Sequence, residues 1–228
     1  RSKCTYCLWP QTIGGHRYRT RSPEHVAEEI DRATRHFPQV KEYFFDDDTF
    51  TDDLPRAEAI ARRLGRLGVT WSCNAKANVP PETLKVFRDN GLRLLVVGYE
   101  SGNQQILNNI KKGIRLDIAR RFTREAKDLG IKIHGAFIMG LPGETRETIN
   151  ETIRFALEIE PDTVQASMAA PYPGTELYRE ALANGWLTNG RLVSDGGTQV
   201  SALSYPHLSH TEIFGSVEEF YRRFYFRP

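Results

Sequence analysis

At 228 residues and a net charge of +2, the chain suits one domain with a substantial core and carries no charge excess that would attach it to nucleic acid. Arginines are numerous, but acidic residues interleave with them on predicted helix faces, the pattern of solvated amphipathic helices. No stretch approaches the roughly 20 apolar residues needed to cross a bilayer, no signal peptide opens the chain, and three cysteines make no disulfide framework, so the expected compartment is a reducing cytoplasm.

The chain opens on a loop, Cys4-Thr5-Tyr6-Cys7, two thiols three residues apart. This spacing can close on one metal centre, and it is shared by redox pairs, by half of a zinc knuckle and by idle loop thiols. Residue 1 is Arg rather than Met, so the chain is expected to be a piece of something longer. A cysteine just before Arg1 would complete a three-thiolate loop, which leaves one iron of a four-iron cluster without a protein ligand. Gly14-Gly15 and the basic run His16-Arg17-Tyr18-Arg19 read as extended loop.

Ser22-Pro23-Glu24 then opens a helix, Ser22 as N-cap and Pro23 at the first helical position, with Val26, Ile30 and Ala33 as its apolar stripe. Lys41 to Phe45 reads as a strand running into Asp46-Asp47-Asp48. A helix from Leu54-Pro55 carries Ile60 and Leu64 and stops at Gly68. Val69 to Cys73 is the next strand, and Pro80-Pro81-Glu82 opens a helix with Leu84 and Phe87 that stops at Gly91. Leu92 to Val97 is a continuous apolar run, expected of a strand buried on both faces. A short helix near Gln104 to Ile110 precedes a longer one from Leu116 to Leu129, closed by Gly130. Ile131 to Met139 is a strand, Glu147 to Glu158 a helix, and Thr163 to Met168 a strand. Pro171-Tyr172-Pro173-Gly174-Thr175 turns into a helix ending near Gly185. Beyond Leu187 the pattern dissolves: Gly196-Gly197 and Ser201 to Ser209 read as irregular, and Val217 to Phe226 as a helix rich in Arg, Tyr and Phe, with no assigned task.

Strand, loop, helix and glycine repeat five times, the rhythm of a parallel sheet with helical crossovers. Because the cysteine loop would itself follow a strand, a sixth is expected upstream of Arg1. The predicted fold is therefore α/β, a partial (β/α)6 TIM-like barrel over residues 1–187 with its first strand missing upstream, followed by an irregular and helical extension over 188–228. A doubly wound sheet is the alternative, but no Gly-x-Gly-x-x-Gly follows any strand.

Unusual residues gather at the strands' carboxyl ends. Asp46, Asp47 and Asp48 repel one another and so stand in solvent, bind cations or accept hydrogen bonds from a ligand. Asp52 and Asp53 are expected to cap the next helix, a role that also suits Asp48. Lys76 could pair with an anionic ligand group or face solvent. Cys73 reads as a small buried apolar residue. In Gly98-Tyr99-Glu100-Ser101-Gly102 a carboxylate and a hydroxyl could hold a ribose, or Ser101 could simply cap the helix that follows. The Met139-Gly140-Leu141-Pro142-Gly143-Glu144 turn lets backbone at Gly140 approach a flat ligand, and Pro171 to Thr175 makes a rigid wall.

Taken together, Lys3-Cys4-Thr5-Tyr6-Cys7, Phe45 to Phe50, Gly98 to Gly102, Ile138 to Glu144 and Pro171 to Thr175 resemble the radical SAM superfamily, in the branch that often carries a cobalamin-binding domain ahead of the barrel. Within that branch, Cys7-Leu8-Trp9-Pro10-Gln11 and Trp71-Ser72-Cys73-Asn74-Ala75-Lys76 are most similar to the radical SAM proteins of hopanoid biosynthesis. The family motif is Cys-x-x-x-Cys-x-x-Cys, and its first cysteine falls outside this chain. The resemblance implies that Cys4 and Cys7 ligate a [4Fe–4S] cluster. S-adenosylmethionine would bind its fourth iron and be cleaved reductively to a 5′-deoxyadenosyl radical. It places Asp46 and Asp47 at the methionyl amino group, Lys76 at the methionyl carboxylate, Glu100 and Ser101 at the ribose, and Tyr6, Ile138 and the turn from Pro171 to Gly174 at the adenine. It also implies an electron donor such as flavodoxin or ferredoxin, and cobalamin through an upstream domain. A small-molecule or lipid-linked substrate follows, a hopanoid-linked sugar or cyclitol in the narrower match, with peripheral membrane association if the substrate is a lipid. A chain that lacks the first cluster cysteine should not work alone.

Two other readings compete. In one, the chain is a scaffold module whose cysteine pair holds zinc or nothing. In the other, a barrel hydrolase or aldolase uses Asp46 to Asp48 for a divalent metal.

Overall fold

Each of the predicted crossovers forms, with its boundaries set by local chemistry. The computed structural model describes residues 3–15, 17–188, 193, 195–197 and 202–226. The readings of Arg1, His16 and Ser201 fall outside them. Helix α1 (Pro23–His36) starts where the Ser22 side chain accepts from the His25 N–H, with Pro23 at the first position. Helix α2 (Leu54–Leu67) is capped by Asp53, which accepts from Arg56 N–H, and ends at Gly68 in the left-handed conformation. Asp52 is not the N-cap of α2; its carboxylate pairs with Lys76. Helices α3 (Pro81–Asp89), α4 (Gln104–Asn109), α5 (Leu116–Asp128), α6 (Arg146–Ile159) and α7 (Glu176–Ala183) follow, and α8 (His210–Tyr225) begins well before Val217 because Ser209 and Glu212 form a capping box.

Five strands, β1 (Tyr43–Phe45), β2 (Trp71–Ala75), β3 (Leu92–Glu100), β4 (Lys132–Met139) and β5 (Thr163–Met168), form one sheet in the order β1-β2-β3-β4-β5. Every pairing is parallel. Sequential order with helical crossovers is the connectivity of a partial TIM-like barrel. Strand β1 is shorter than expected, while β3 runs three residues further than the apolar stretch suggested.

The two faces of the sheet differ. Cys73, Leu95, Val97, Ile133, Phe137, Val164 and Ala166 are buried under the helices. Asn74, Val96, His134 and Ala136 lie on the opposite face in register and are only half-buried. Strand β3 is therefore covered on one face, not on both. Its apolar run mixes a core face with the half-open inner face of an incomplete barrel, where Val96 stands beside His134 and Asn74.

Under the helices, Trp71 anchors one end of the core, with Phe50 and Phe87 both 5.5 Å from it in tilted and edge contacts and its indole N–H donated to Asn90 O at 2.8 Å. Phe137 and Phe220 fill the other end, their centroids 5.1 Å apart, so α8 shares the core of the sheet.

Helix α8 also has a task on the sheet's far edge. The hydroxyls of Tyr221 and Tyr225 each accept from a β5 backbone N–H, Ala166 and Val164 respectively, at 3.0 Å. They also lie 3.3 and 3.4 Å from the same residues' carbonyls, which they reach as donors. Four residues of helix rise about 6 Å and two residues of strand about 6.7 Å, so an i, i+4 tyrosine pair matches the outward-facing groups of an edge strand. The two rings stack at 6.2 Å. Among the described residues, no helix is long and apolar enough to cross a membrane.

Candidate active site

The cysteine loop lies against the carboxyl-terminal side of the sheet through backbone bonds on both flanks. Cys7 N–H donates to Cys4 O at 3.2 Å, closing the turn between the two thiols. Thr5 N–H donates to Ile110 O after α4, and Thr5 O accepts from Leu177 N–H in α7. A π-helical turn, Trp9–Ile13, continues the loop. One side chain ties these pieces together: Gln11 Nε2 is 3.2, 3.1 and 2.9 Å from the carbonyl oxygens of Cys4, Thr5 and Cys7. Its Oε1 accepts from Glu176 N–H at 2.7 Å.

Both loop thiols are free, Cys4 buried and Cys7 half-buried. Burial raises the pKa of each; the charge of Lys112 opposes this at Cys4, and the Trp9 backbone N–H opposes it at Cys7. Among the described residues no three His, Cys, Asp or Glu side chains gather to hold a metal. The loop thus presents two soft thiols beside a mostly buried cation, which fits part of an anionic iron–sulfur cluster's ligand set. Asp46 to Asp48 are exposed and do not converge into a metal-holding group.

Beside the thiols lies an ion pair the sequence did not suggest. Lys112 Nζ is 2.6 Å from Glu100 Oε1, and the two side chains are only 13% and 8% exposed. Burial is the largest influence and would lower the lysine's pKa, but the Glu100 carboxylate together with Cys4 and Cys7 outweighs it and holds the ammonium charged. The pair has room because residue 98 is glycine: a Cβ there would lie 2.3 Å from Glu100 Oε1 and 2.9 Å from Lys112 Nζ. Glu100 sits at φ +66°, a left-handed conformation rare for a non-glycine residue, beside a register shift between β3 and β4. Tyr6 completes the cluster. Burial, then the Glu100 charge and that of Cys4, push its pKa well up, so its hydroxyl keeps its proton and donates to Glu100.

The other predicted residues scatter around this centre. Asn74 Nδ2 donates to Asp46 Oδ1 at 3.3 Å and to Asp47 O at 2.9 Å, fixing the end of β1 while the carboxylates face solvent. Lys76 is mostly buried against Asp52 at 2.5 Å. Burial would raise the Asp52 carboxyl, but the Lys76 hydrogen bond helps to bring it below the ordinary range. Ser101 is fully buried; its hydroxyl meets Thr152 at 3.1 Å and accepts from Asn103 N–H, which locks β3 to α6. Ile138 is half-buried on the inner face of β4. Gly140 N–H donates to Glu144 Oε2 at 2.6 Å and its carbonyl accepts from Tyr205 at 2.9 Å, while Ile213 of α8 covers it. Pro171 is buried, and Gly174 (φ +92°) passes so close to the cysteine loop that a Cβ would lie 2.5 Å from Thr12 Cγ2. The structure therefore brings Cys4, Tyr6, Cys7 and Glu100 together and joins the Pro171 turn to the loop at Thr12.

Lys112 and Gln11 were missed for identifiable reasons. Lys111-Lys112-Gly113 after a short helix looks like the usual cation-rich helix end, and Gln11 stands in the Cys7 to Gln11 motif with nothing in its spacing to indicate what its amide meets. Gln11 acts across the chain, over a separation of 165 residues, and Lys112 reaches back 12 residues to Glu100.

With this geometry in view, comparison with known proteins is decisive at the level of family. Residues 1–156 match the model of the radical SAM superfamily. The chain belongs to that superfamily. An uncharacterized methyltransferase of Pyrococcus horikoshii is 33% identical over 231 residues, covering 99% of this chain and 49% of the relative. The cytidylyl-2-hydroxyethylphosphonate methyltransferase of Streptomyces wedmorensis is 28% identical, covering 81% of this chain and 36% of its own. The anaerobic magnesium-protoporphyrin IX monomethyl ester cyclase of Rubrivivax gelatinosus is 29% identical over 72% of this chain and 30% of its own. The radical SAM chain thus spans half or less of the length of these relatives. Among solved structures, the methyltransferase TsrM of Kitasatospora setae, with tryptophan and an S-adenosylmethionine analogue bound, superposes with a TM-score of 0.79 at 16% identity over 96% of this chain and 49% of its own. That likeness shows the fold.

Proposed function

We propose that this radical SAM chain is the catalytic core of a methyltransferase that holds a [4Fe–4S] cluster through Cys4 and Cys7 and binds S-adenosylmethionine over the carboxyl ends of β1 to β5. One observation carries the reading: the paired thiols, Tyr6 and the buried Glu100–Lys112 pair meet at a single point. When bound, the cluster supplies the electron that cleaves the sulfonium of S-adenosylmethionine.

The chain's own residues bind and orient. Lys112 offsets the negative charge of thiolates held in a poorly hydrated site, an arrangement that exposed lysines could not provide. Glu100, held by Lys112 and Tyr6, presents its remaining acceptor capacity to ribose hydroxyls, and Ser101 positions it from within the core. Asp46 and Asp47 offset the methionyl ammonium. For the methionyl carboxylate there are two candidate cations, Lys76 with Asp52 as partner and Lys112 with Glu100. Ile138 and the wall from Pro171 to Gly174 flank the adenine, with backbone at Gly140 behind them.

Methyl transfer is favoured over rearrangement of a hopanoid-linked sugar or cyclitol because two of the relatives above are named as methyltransferases, while the hopanoid reading rests on two short motifs. TsrM has also been solved with cobalamin and a [4Fe–4S] cluster bound. A cobalamin-binding segment outside the 228 residues, a flavodoxin- or ferredoxin-like donor and a small-molecule or lipid-linked acceptor complete the proposal. The test is anaerobic reconstitution of the full-length protein with iron and sulfide, followed by incubation with methyl-deuterated S-adenosylmethionine. About four irons per chain are expected, falling steeply in Cys4→Ser and Cys7→Ser. Deuterated methyl should appear in a product only when the cluster is loaded. Undiminished iron content in both variants would sink the ligand assignment, and release of unmethylated product with deoxyadenosine would favour rearrangement.

A further inference from the structure

Gln11 is the side chain that no assignment above explains. Its amide lies inside the cysteine loop, with Nε2 between 2.9 and 3.2 Å from three carbonyl oxygens and Oε1 at 2.7 Å from the Glu176 N–H. Only this orientation is chemically possible, because the flipped amide would aim oxygen at three carbonyls and a donor at a donor. The carbonyls are those of Cys4, Thr5 and Cys7, so the peptide planes that fix both thiol directions turn about one amide. Peptide units are rigid and planar, and holding their oxygens fixes the Cα–Cβ vectors on either side. At the other end, Glu176 is the first residue of α7, where a backbone N–H has no acceptor within its own helix. Gln11 supplies that acceptor and so locks the loop to a rigid element of the barrel. The neighbouring contacts agree: Leu177 N–H donates to Thr5 O, and Thr12, next in sequence, abuts Gly174.

We infer that Gln11 is a positioning residue that staples the cysteine loop to the N-terminus of α7 and presets the two thiols for the cluster. The inference builds on the ligand assignment of Cys4 and Cys7, but its first two tests need no cluster. Gln11→Glu is isosteric: it can still accept from Glu176, but it places a carboxylate against three carbonyls. In the metal-free protein, site-resolved alkylation by iodoacetamide should show Cys4, buried at 3% exposure, reacting about tenfold faster in Gln11→Glu, the factor expected for loss of one net hydrogen bond's worth of local protection. Cys73, fully buried in the core, reports global unfolding and should stay unreactive in both proteins. Hydrogen exchange on the unmodified protein gives an answer even if the variant fails to fold: the Glu176 amide should be protected about tenfold or more, although its position in α7 provides no intrahelical bond. In reconstituted full-length protein, the reduced-cluster resonance should broaden in Gln11→Glu relative to the parent and to Gln39→Glu, an exposed control in the turn before β1. An unprotected Glu176 amide, an unchanged Cys4 rate in folded Gln11→Glu, or a variant resonance identical to the parent's overturns the inference. Failure of the parent to take up iron would instead remove the ligand assignment and leave the staple to be decided by alkylation and exchange.

Discussion

Glu100 and Lys112 show what a single buried pair demands of its neighbours. Glycine at 98 provides the space, a left-handed backbone at Glu100 accompanies the inward carboxylate, and the Tyr6 hydroxyl donates to it. Removing one partner strands the other charge, so Lys112→Met should destabilise the protein by about 3–5 kcal/mol in urea unfolding. Adding Glu100→Gln to that variant should recover much of the loss, which additive behaviour would contradict. Glu144 is a second buried carboxyl, with Oε2 accepting from Gly140 and Leu141 N–H and Oε1 without a partner. Burial raises its pKa from 4.5 to about 8, the two backbone donors only partly opposing. Because the folded value lies above the unfolded one, its contribution is full below about pH 4.5 and is lost as pH rises through about 8. Glu144→Gln keeps the acceptor for both N–H groups and should flatten the fall in unfolding free energy between pH 5 and pH 8; an unchanged pH slope would assign the titration elsewhere.

At the scale of elements, helix α8 is the least expected piece. Its sequence showed Tyr, Phe and Arg without a role, because a tyrosine reads as surface or core unless the strand it will meet is known. The i, i+4 spacing of Tyr221 and Tyr225 acquires meaning only against the two-residue repeat of β5. The double variant Tyr221→Phe/Tyr225→Phe should lower stability by about 1–3 kcal/mol and leave four outward backbone groups of β5 unbonded. Analytical ultracentrifugation should then reveal association through that edge; a monomeric, equally stable variant would reduce the tyrosines to packing. Other elements were legible because their signals are local. Ser22, Pro23 and Gly68 each mark a helix end by their own geometry, and the apolar runs located all five strands within a few residues. The burial of Leu92 to Val97 was misjudged for the opposite reason, since which face of a strand is covered depends on the rest of the barrel.

For the molecule as a whole, five parallel strands in sequential order direct their carboxyl ends to one side, and that side gathers the cysteine loop, Tyr6, Glu100 and Lys112. The family was readable from short motifs because the cofactor fixes their chemistry. The supporting shell, Gln11 and Lys112 with Gly98 behind the pair, was not readable, because Gln11 meets Glu176 across 165 residues and Lys112 reaches Glu100 only through the left-handed backbone at the end of β3. The core holding this arrangement depends on Trp71. Trp71→Ala should cost about 3–5 kcal/mol by opening a cavity among Phe45, Phe50 and Phe87, checked by thermal unfolding.

In the proposed function, S-adenosylmethionine binds directly at a cluster held by Cys4 and Cys7 beside Glu100 and Lys112. Electron paramagnetic resonance of the reconstituted, dithionite-reduced full-length protein, recorded with and without S-adenosylmethionine, tests it most directly. The account predicts a [4Fe–4S] signal whose g values change when S-adenosylmethionine is added, and loss of that change in Lys112→Met. A signal indifferent to S-adenosylmethionine, or no cluster signal at all, would contradict it.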